Sequence, residues 1–349
     1  MKGPNYEIFY ESLEKSLSVE KAEILFNNIM AGNFSDIKLS AILSTLRSRG
    51  ETVDEIIGAT KAMRKHSKKI ISDDDTIDIV GTGGDGKGTL NISTASAIVA
   101  AGAGVKVAKH GNKNISSKSG AANILEEIGV DIIMDSKVSQ QCLNKVGICF
   151  MMAPIFHPAM KNVMKVRSEL GIRTIFNILG PMTNPAGVKK QLTGAFNQSV
   201  LEPMAQTLLS LGTKSAWLVH GSDGTDELSI SGLTYVIELK NGLMNKFTIN
   251  PKDFGLKIYP FSELIGGDPA YNASKLLSVL SGEKCAYRDS VILNSAAAIY
   301  ISGKVKDLKL GIVEAIKSID EGKAIYKLNE LVNFTKKNDH IDLTKNKKI

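Results

Sequence analysis

A glycine-rich segment near residue 80 has the residue types of an anion-binding loop. Residues 78–86 read DIVGTGGDG, and residues 91–94 read NIST. A β-branched run precedes the glycines and a run of small residues follows them, which predicts a strand, a loop and a helix N-terminus in succession. Glycine amides at such a junction can close on an anion, and the helix dipole favours negative charge there. The segment therefore predicts a phosphate or pyrophosphate site.

A dinucleotide site is the main alternative for this loop. Gly81, Gly83 and Gly86 satisfy the pattern G-x-G-x-x-G, but a dinucleotide fold also needs an acidic residue about twenty residues further on. The next β-branched run ends instead in KHGN at 109–112. A cation there suits a phosphorylated sugar better than the ribose of NAD, although the 2′-phosphate of NADP would tolerate it. No G-K-[ST] closes the loop, so the P-loop consensus is absent.

A second loop of similar character follows the next predicted strand. Residues 109–120 read KHGNKNISSKSG and contain cations, hydroxyl groups and amides but no acid. Such a loop can donate many hydrogen bonds to an oxyanion. Two anion-binding loops after neighbouring strands predict a large polyanionic ligand.

A third cluster places acidic residues after a strand. Residues 219–229 read VHGSDGTDELS, and the adjacent Asp226 and Glu227 are natural Mg²⁺ ligands beside a polyphosphate, because Mg²⁺ bridges carboxylates and phosphate oxygens. The run of three aspartates at 73–75 ends a linker instead, and we expect it to be an exposed acidic turn.

A fourth cluster spans residues 157–187 and holds two of the six arginines of the chain. Because a guanidinium group can clamp a planar carboxylate, Arg167 is a candidate for orienting an acidic aromatic substrate. Arg173 is expected to be structural, for example in an ion pair between helices. His157, which precedes a proline, is a candidate for lining the acceptor pocket.

Two kinds of element must position these clusters. The first seventy residues predict three amphipathic helices: one capped by Ser18 and ending at Gly32, one from Asp36 to Gly50, and one that begins with a capping box of Thr52 and Glu55. After them, β-branched runs alternate with helical stretches, which is typical of a mostly parallel sheet. The predicted strands are 76–80, 105–109, 130–133, 148–152, 191–196, 215–220, 234–238 and 246–249. The predicted helices between and after them are 93–102, 120–128, 137–146, 200–211, 274–281, 288–301 and 308–319.

The predicted fold class is therefore α/β: a small N-terminal helical domain plus a large α/β domain with a mostly parallel central sheet and flanking helices. We place the helical domain at residues 1–72 and the α/β domain, which would bind the polyanion, at residues 73–349. The segment 157–187 is far longer than an ordinary connection, and we expect part of it to pack on the helical domain.

Composition restricts the class of protein. The chain has 349 residues, 43% of them apolar and 23% charged, which fits a globular protein in water, and no apolar run reaches the roughly eighteen residues of a membrane span. We find no signal peptide, and three scattered cysteines suit reduced thiols, so we expect a cytoplasmic protein. The net charge of +7 and pI near 9.0 allow a phosphate metabolite or a nucleic acid as partner. The excess of lysine over arginine favours the metabolite.

Together, in this order, the clusters resemble the anthranilate phosphoribosyltransferase family of tryptophan biosynthesis. The motifs that carry the resemblance are GTGGD, NIST, KHGN, SSKSG, HPAMK, VRxELGxRTxFN, LGP and HGxDGxDE. The resemblance implies transfer of a phosphoribosyl group from phosphoribosyl pyrophosphate to the amine of anthranilate, two Mg²⁺ ions, and a homodimer formed through the helical domains. It implies neither a nucleic-acid nor a membrane partner.

The resemblance also assigns residues to three sites. It places the donor on Gly81, Gly83, Gly84, Asp85, Thr89, Asn91, Ile92, Ser93, Thr94, Lys109, His110, Gly111, Asn112, Lys113, Asn114, Ile115, Ser116, Ser117 and Ala121. It places anthranilate on Gly81, Asn112, His157, Arg167 and Gly180, and the metal on Ser93, Asp226 and Glu227. The sequence departs from the family at Lys113, where arginine is usual, at Ala121, where serine is frequent, and at Asn162, where histidine is common.

No side chain is expected to act as a catalytic acid or base. An arylamine is already a nucleophile, so catalysis would come from positioning and from stabilising the charge of the leaving group. Two alternatives stay open. A pyrimidine nucleoside phosphorylase would need a base-reading cluster of arginine and lysine that we cannot locate. A nucleic-acid-binding relative, suggested by the pI, would be expected to have lost the metal and acceptor motifs.

Overall fold

The computed structural model describes residues 4–113 and 119–338. Within this part of the chain, the N-terminal region forms a bundle of four helices: α1 Pro4–Glu14, α2 Val19–Met30, α3 Asp36–Arg49 and α4 Val53–Lys65. The predictions for α2, α3 and α4 are confirmed, including the Ser18 cap and the capping box of Thr52 and Glu55. Helix α1 was missed by the sequence analysis.

The central sheet of the described residues has seven strands in the order β3-β2-β1-β4-β5-β6-β7. The strands are β1 Ile77–Gly81, β2 Val107–Gly111, β3 Ile148–Met152, β4 Lys190–Gly194, β5 Ser215–Gly221, β6 Thr234–Lys240 and β7 Leu243–Ile249. The first five are mutually parallel, whereas β6 and β7 form an antiparallel edge. Ile77 at the start of β1 is in register with Val107 on one side and Lys190 on the other. This is the mostly parallel sheet that the sequence predicted.

Helices cover both faces of the sheet. They are α5 Ile92–Gly102, α6 Ala121–Ile128, α7 Ser136–Val146, α8 Ala153–Phe156, α9 Lys161–Leu170, α10 Phe176–Leu179, α11 Leu201–Ser210, α12 Pro269–Leu280, α13 Ala286–Ser302, α14 Leu308–Asp320 and α15 Lys323–Asn338. None of the described helices is long and apolar enough to cross a membrane.

The predicted strand at residues 130–133 is wrong. Val130 and Ile132 are buried and Ile133 is exposed, so the side chains alternate as in a strand. The backbone, however, pairs elsewhere: the Asp131 N–H donates to Thr335 Oγ1 of α15 at 3.2 Å, and the Ile133 N–H donates to Asp131 Oδ1 at 2.8 Å. An alternating pattern does not make a strand when no neighbouring strand accepts its hydrogen bonds.

Two hydrophobic clusters lie on opposite faces of the sheet. On β5, Trp217 and Val219 belong to the first cluster, with α5 and α13, whereas Ala216 and Leu218 belong to the second. This alternation follows from the two-residue period of a strand. The second cluster also contains the helical bundle, α11, and the buried residues Val163, Val166, Ile175 and Phe176 of the 157–187 segment. The helical bundle and one face of the sheet therefore share a continuous core.

The order of the strands creates a crevice. Strand β1 lies between β2 and β4, so the connections that leave the carboxyl ends of these strands run in opposite directions. Ligands of open α/β sheets bind at such a switch point, outside the carboxyl ends of the strands. All four predicted clusters follow strands at this edge.

Candidate functional site

The glycine loop connects β1 to α5 at the centre of this edge. The φ angles of Gly83, Gly84, Gly86 and Gly88 are 64°, 68°, 73° and 63°, values that residues other than glycine rarely adopt. A Cβ atom at any of the four would meet no atom of the described chain within 4 Å. The glycines are thus required by backbone conformation, and the space beside them is open to a ligand.

The acidic loop after β5 lies directly against the glycine loop. The Gly83 N–H donates to Asp226 Oδ2 at 2.8 Å, and the Ser93 N–H, in the first turn of α5, donates to Glu227 Oε1 at 3.1 Å. A Cβ at Gly81 would lie 2.3 Å from Asp226 Oδ2. The structure therefore brings together the predicted metal residues Ser93, Asp226 and Glu227, and Gly81 makes room for one of them.

The acids at this edge repel one another. Burial, and then the charge of Asp85, raise the pKa of Asp226, while burial and the charge of Asp226 raise the pKa of Glu227. Lys109 is the nearby cation; its Nζ donates to Ile79 O at 2.5 Å, and burial lowers its pKa.

Residues of this kind fit a magnesium ion. No group of three acidic, histidine or cysteine side chains in the described chain could hold a metal by itself. Mg²⁺ seldom needs such a cage, because it keeps several waters and takes phosphate oxygens beside one or two carboxylates. Asp223 does not join the site, because it accepts hydrogen bonds from Thr225 Oγ1 at 2.7 Å and Ser229 Oγ at 2.5 Å within its own loop.

The other donor residues predicted near the start of α5 have different surroundings in the structure. Asn91 lies before α5, where its Nδ2 donates to Ser119 O at 3.3 Å and its Oδ1 accepts from Asn272 Nδ2 at 3.0 Å. Thr94 is buried in α5, and Thr89 forms an isolated bridge with Ile265. Ile92 is 2% exposed and its side chain is part of the core, so it offers a ligand only its backbone.

The second anion-binding loop begins at the end of β2. Gly111 is required by packing, since a Cβ there would lie 2.7 Å from the Phe150 ring. Asn112 Oδ1 accepts from the Lys113 N–H at 2.8 Å, and Lys113 Nζ forms a 2.8 Å ion pair with Glu126 of α6. Ala121 is the first residue of α6. The predicted donor residues Asn114, Ile115, Ser116 and Ser117 lie outside the described residues.

Two buried histidines meet behind this loop. The ring centroids of His110 and His157 are 5.1 Å apart. Burial lowers the pKa of His110 to about 3 and that of His157 to about 4, so both rings are neutral at pH 7. Neither Nε2 atom has a hydrogen-bond partner in the described part of the chain. A hydrogen bond with the Gly180 backbone links the His110 ring to the predicted acceptor segment.

A buried acid supports this region, and the sequence analysis missed it. Asp78 of β1 accepts hydrogen bonds from the His110 N–H at 3.2 Å and from Asn184 Nδ2 at 2.7 Å, and burial raises its pKa to about 6. The signal was an acidic residue in the middle of an apolar strand, which is expected only when that residue has partners. Asp78 thus ties β1 and β2 to the end of the 157–187 segment.

Arg167 and Gly180 complete the predicted acceptor residues. Arg167 lies on α9 with its Cζ 5.5 Å from the centroid of the Phe176 ring, and burial lowers its pKa. No described atom would lie within 4 Å of a Cβ at Gly180, which leaves open space beside that residue. Arg64 of α4 donates from Nε to Met182 O at 2.8 Å and so joins the helical bundle to the turn that follows Gly180.

Arg173 contacts other parts of the fold, as expected of a structural residue, but it forms no ion pair within the described residues. Its Nη2 donates instead to Gly84 O at 2.5 Å, and its Cζ lies 4.2 Å from the centroid of the Phe196 ring. Sequence spacing could not reveal this contact, because Arg173 and Gly84 are 89 residues apart.

Comparison with known proteins agrees with this geometry. Residues 73–325 match the family described as "Glycosyl transferase family, a/b domain", and residues 11–67 match "Glycosyl transferase family, helical bundle domain". The anthranilate phosphoribosyltransferase of Afipia carboxidovorans is 49% identical over 318 residues, which are 91% of this chain and 94% of that protein. The chain belongs to the anthranilate phosphoribosyltransferase family.

Solved structures of this family superimpose closely. The anthranilate phosphoribosyltransferase of Thermus thermophilus has a TM-score of 0.90 at 38% identity, over 94% of this chain and 99% of that one. The enzyme of Saccharomyces cerevisiae, in complex with PRPP and Mg, has a TM-score of 0.87 at 29% identity, over 95% and 97% of the two chains. The resemblance seen in the motifs thus extends over nearly the whole described fold.

Proposed function

We propose that this chain transfers the phosphoribosyl group of phosphoribosyl pyrophosphate to the amine of anthranilate, giving N-(5-phosphoribosyl)anthranilate and pyrophosphate in tryptophan biosynthesis. The observation that carries the proposal is the contact between the glycine loop and the acidic loop, through the hydrogen bond from Gly83 to Asp226. It puts the glycine loop and carboxylates that form no ion pair within the described residues on one crevice, and a magnesium diphosphate needs both.

The donor site would use backbone more than side chains. The amides of the glycine loop, the N-terminus of α5 and the loop after β2 would bind the diphosphate and the sugar phosphate. Ser93, Asp226 and Glu227 would hold two Mg²⁺ ions. Bound Mg²⁺ would neutralise the charge that develops on the pyrophosphate. The chain's own residues fix the diphosphate in line with the acceptor, and this alone can lower the barrier substantially.

The acceptor site would lie beside Gly81, Asn112, His157, Arg167 and Gly180. Arg167 would pair with the carboxylate of anthranilate. Because burial keeps His110 and His157 neutral, they would add no cation that competes with Arg167 for that carboxylate. The amine attacks C1′ of the ribose as the bond to pyrophosphate breaks, and the proton that the amine loses can pass to water or to the released diphosphate.

We also propose a cytoplasmic homodimer that forms through the helical domain of residues 1–72, with the α/β domain at 73–349. Exposed apolar side chains on the bundle and on the helix packed against it support this arrangement: Ile24 of α2 is 50% exposed, Ile37 of α3 is 83% exposed and Met164 of α9 is 40% exposed. Sedimentation of the wild type and of an Ile37→Glu variant tests the dimer. A wild-type monomer would contradict it.

The loss of anthranilate fluorescence tests the reaction. It should require PRPP and Mg²⁺ together, release one pyrophosphate per anthranilate consumed, and stop when EDTA is added. Uridine or thymidine with inorganic phosphate should give no reaction. Phosphorolysis of those nucleosides, with no loss of anthranilate, would identify a nucleoside phosphorylase instead.

A further inference from the structure

Arg173 extends from the acceptor side of the crevice to the glycine loop. It lies in the turn between α9 and α10, where Gly171 ends α9 with a φ angle of 59°. Ile175 and Phe176, two and three residues further on, are 1% and 5% exposed in the second hydrophobic cluster. The backbone of Arg173 is therefore anchored on both sides, whereas its side chain is exposed over the crevice.

The guanidinium group makes two contacts at once. Its Nη2 donates to Gly84 O at 2.5 Å, and its Cζ lies 4.2 Å from the centroid of the Phe196 ring. Phe196 itself is tied to the same loop, because its N–H donates to Thr82 Oγ1 at 2.9 Å. The Phe196 ring contacts the guanidinium group, and the guanidinium group donates to one carbonyl of the glycine loop.

The hydrogen bond to the Gly84 carbonyl also sets the direction of the neighbouring amide, the Asp85 N–H. In a trans peptide the C=O of Gly84 and the N–H of Asp85 point in opposite directions. Gly83 and Gly84 have φ angles of 64° and 68°, with no described atom within 4 Å of a Cβ position at either. Turning this peptide over rotates ψ of Gly84, which glycine tolerates, and φ of Asp85. The hydrogen bond from Arg173 to the Gly84 carbonyl opposes that rotation and holds the direction of the peptide.

We infer that Arg173 is a positioning residue for the donor: it orients the Gly84–Asp85 peptide so that the Asp85 N–H faces the diphosphate. The inference rests on the proposed function for the identity of the donor. It requires no contact between Arg173 and either substrate.

Kinetics of Arg173→Met, Arg173→Lys and Phe196→Leu test the inference, with Arg47→Met as a control at an exposed arginine in the last turn of α3. Loss of a charged hydrogen bond should raise the KM for PRPP and the Ki for inorganic pyrophosphate about tenfold in Arg173→Met. Lysine keeps a hydrogen-bond donor but loses the contact of the guanidinium group with the ring, so Arg173→Lys and Phe196→Leu should raise the KM for PRPP about two- to fivefold. The KM for anthranilate and the thermal midpoint should stay at wild-type values.

Two further results separate positioning from other roles. Adding Phe196→Leu to Arg173→Met should bring no extra loss, because the ring acts through the guanidinium. Millisecond hydrogen exchange of residues 82–90, measured before PRPP is added, should be faster in Arg173→Met than in wild type. Unchanged exchange would overturn the inference even if the KM rose, since Arg173 would then bind the diphosphate directly.

A wild-type enzyme that does not consume anthranilate would refute the proposed function, whereas the exchange measurement does not depend on turnover. A raised KM for anthranilate with an unchanged KM for PRPP would also overturn the inference.

Discussion

Two groups of three acidic residues lie at opposite ends of the parallel strands, which we call the amino edge and the carboxyl edge of the sheet, and the surroundings of these two groups are opposite. At the amino edge, every carboxylate has its own lysine: Asp73 pairs with Lys106, Asp74 with Lys214 at 2.6 Å, and Asp75 with Lys190 at 2.6 Å. At the carboxyl edge, Asp85, Asp226 and Glu227 share one crevice, and each accepts a hydrogen bond from a backbone amide. One group of charges is neutralised within the fold, and the other is left for a cation from outside.

The pKa shifts have opposite signs at the two edges. Hydrogen bonds from Lys214 and Lys190 hold the pKa of Asp74 and of Asp75 below their usual range. Burial and mutual repulsion raise the pKa of Asp226 and Glu227. The same residue types thus stabilise the fold at one edge and oppose it at the other, which is the usual consequence of building a binding site into a stable fold.

The largest effect should come from removing the charges at the carboxyl edge. Asp226→Asn with Glu227→Gln should lower turnover by about 10²- to 10³-fold, because stabilisation of the leaving group is lost. The same variant should unfold at a higher temperature at pH 7 without Mg²⁺. Ionised groups with raised pKa values oppose folding at pH values above their unfolded pKa of about 4.

Turnover and differential scanning calorimetry of the wild type and this double variant check both statements. Asp223→Asn is the matched control within the same loop, since Asp223 has its own hydrogen-bond donors. A double variant with full turnover, or one that unfolds at a lower temperature than wild type, would contradict the comparison.

The cations at the two edges differ in the same way as the acids. The amino-edge lysines already have acidic partners, whereas Arg167 forms no ion pair within the described residues. If anthranilate supplies that partner, Arg167→Ala should lower kcat/KM for anthranilate by a factor that corresponds to about 2 to 5 kcal/mol of transition-state stabilisation. Steady-state rates with each substrate varied in turn should locate the loss on anthranilate. Unchanged anthranilate kinetics would remove Arg167 from the acceptor site.

The buried histidines of the carboxyl edge should destabilise the fold as the pH falls, opposite in sign to the nearby acids with raised pKa values. Their pKa values of about 3 and about 4 lie below the unfolded value of about 6.5. The unfolded state therefore binds more protons between these values, and stability present above pH 6.5 is lost as the pH falls. The loss from pH 6.5 to 5 should be about 1.5 kcal/mol per histidine.

Urea unfolding of the wild type and of His157→Asn at pH 7 and pH 5 measures this loss. The stability of the wild type minus that of the variant should decrease by about 2 kcal/mol from pH 7 to pH 5, because the other titrating groups contribute to both proteins. A difference that does not change with pH would show that the ring of His157 does not carry the effect.

Local rules predicted much of the fold. Strand β3 has the predicted bounds, and the capping box of Thr52 and Glu55 is present, because both signals reside in adjacent residues. Helix α1 was not predicted because it ends at Glu14 without a capping glycine. Residues 130–133 have the pattern of a strand, but their hydrogen bonds depend on Thr335, two hundred and four residues away from Asp131.

The site divides in the same way. The glycine loop and the acidic loop are each a short contiguous stretch of sequence, so the types and spacing of their residues predicted a diphosphate site. The network of Asp78, Asn184 and His110 joins three separate segments, and the contact between Arg173 and Gly84 joins two. Pairings of this kind depend on the order of the strands and on how the 157–187 segment packs, which residue types and spacing do not determine.

The smallest effect should come from the amino edge. D73N/D74N/D75N should leave turnover unchanged, because these side chains lie at the opposite end of the strands from the crevice. Exposed ion pairs contribute little to stability, so the thermal midpoint should fall slightly at low salt and not at all at about 1 M NaCl, where the Debye length is about 3 Å. Because the pKa values of Asp74 and Asp75 are lowered, the small stabilisation is present above their unfolded pKa and is lost as the pH falls through the folded values. Lower turnover in this triple variant would show that the two edges are coupled, and the acids of the amino edge would then have to be counted with the site.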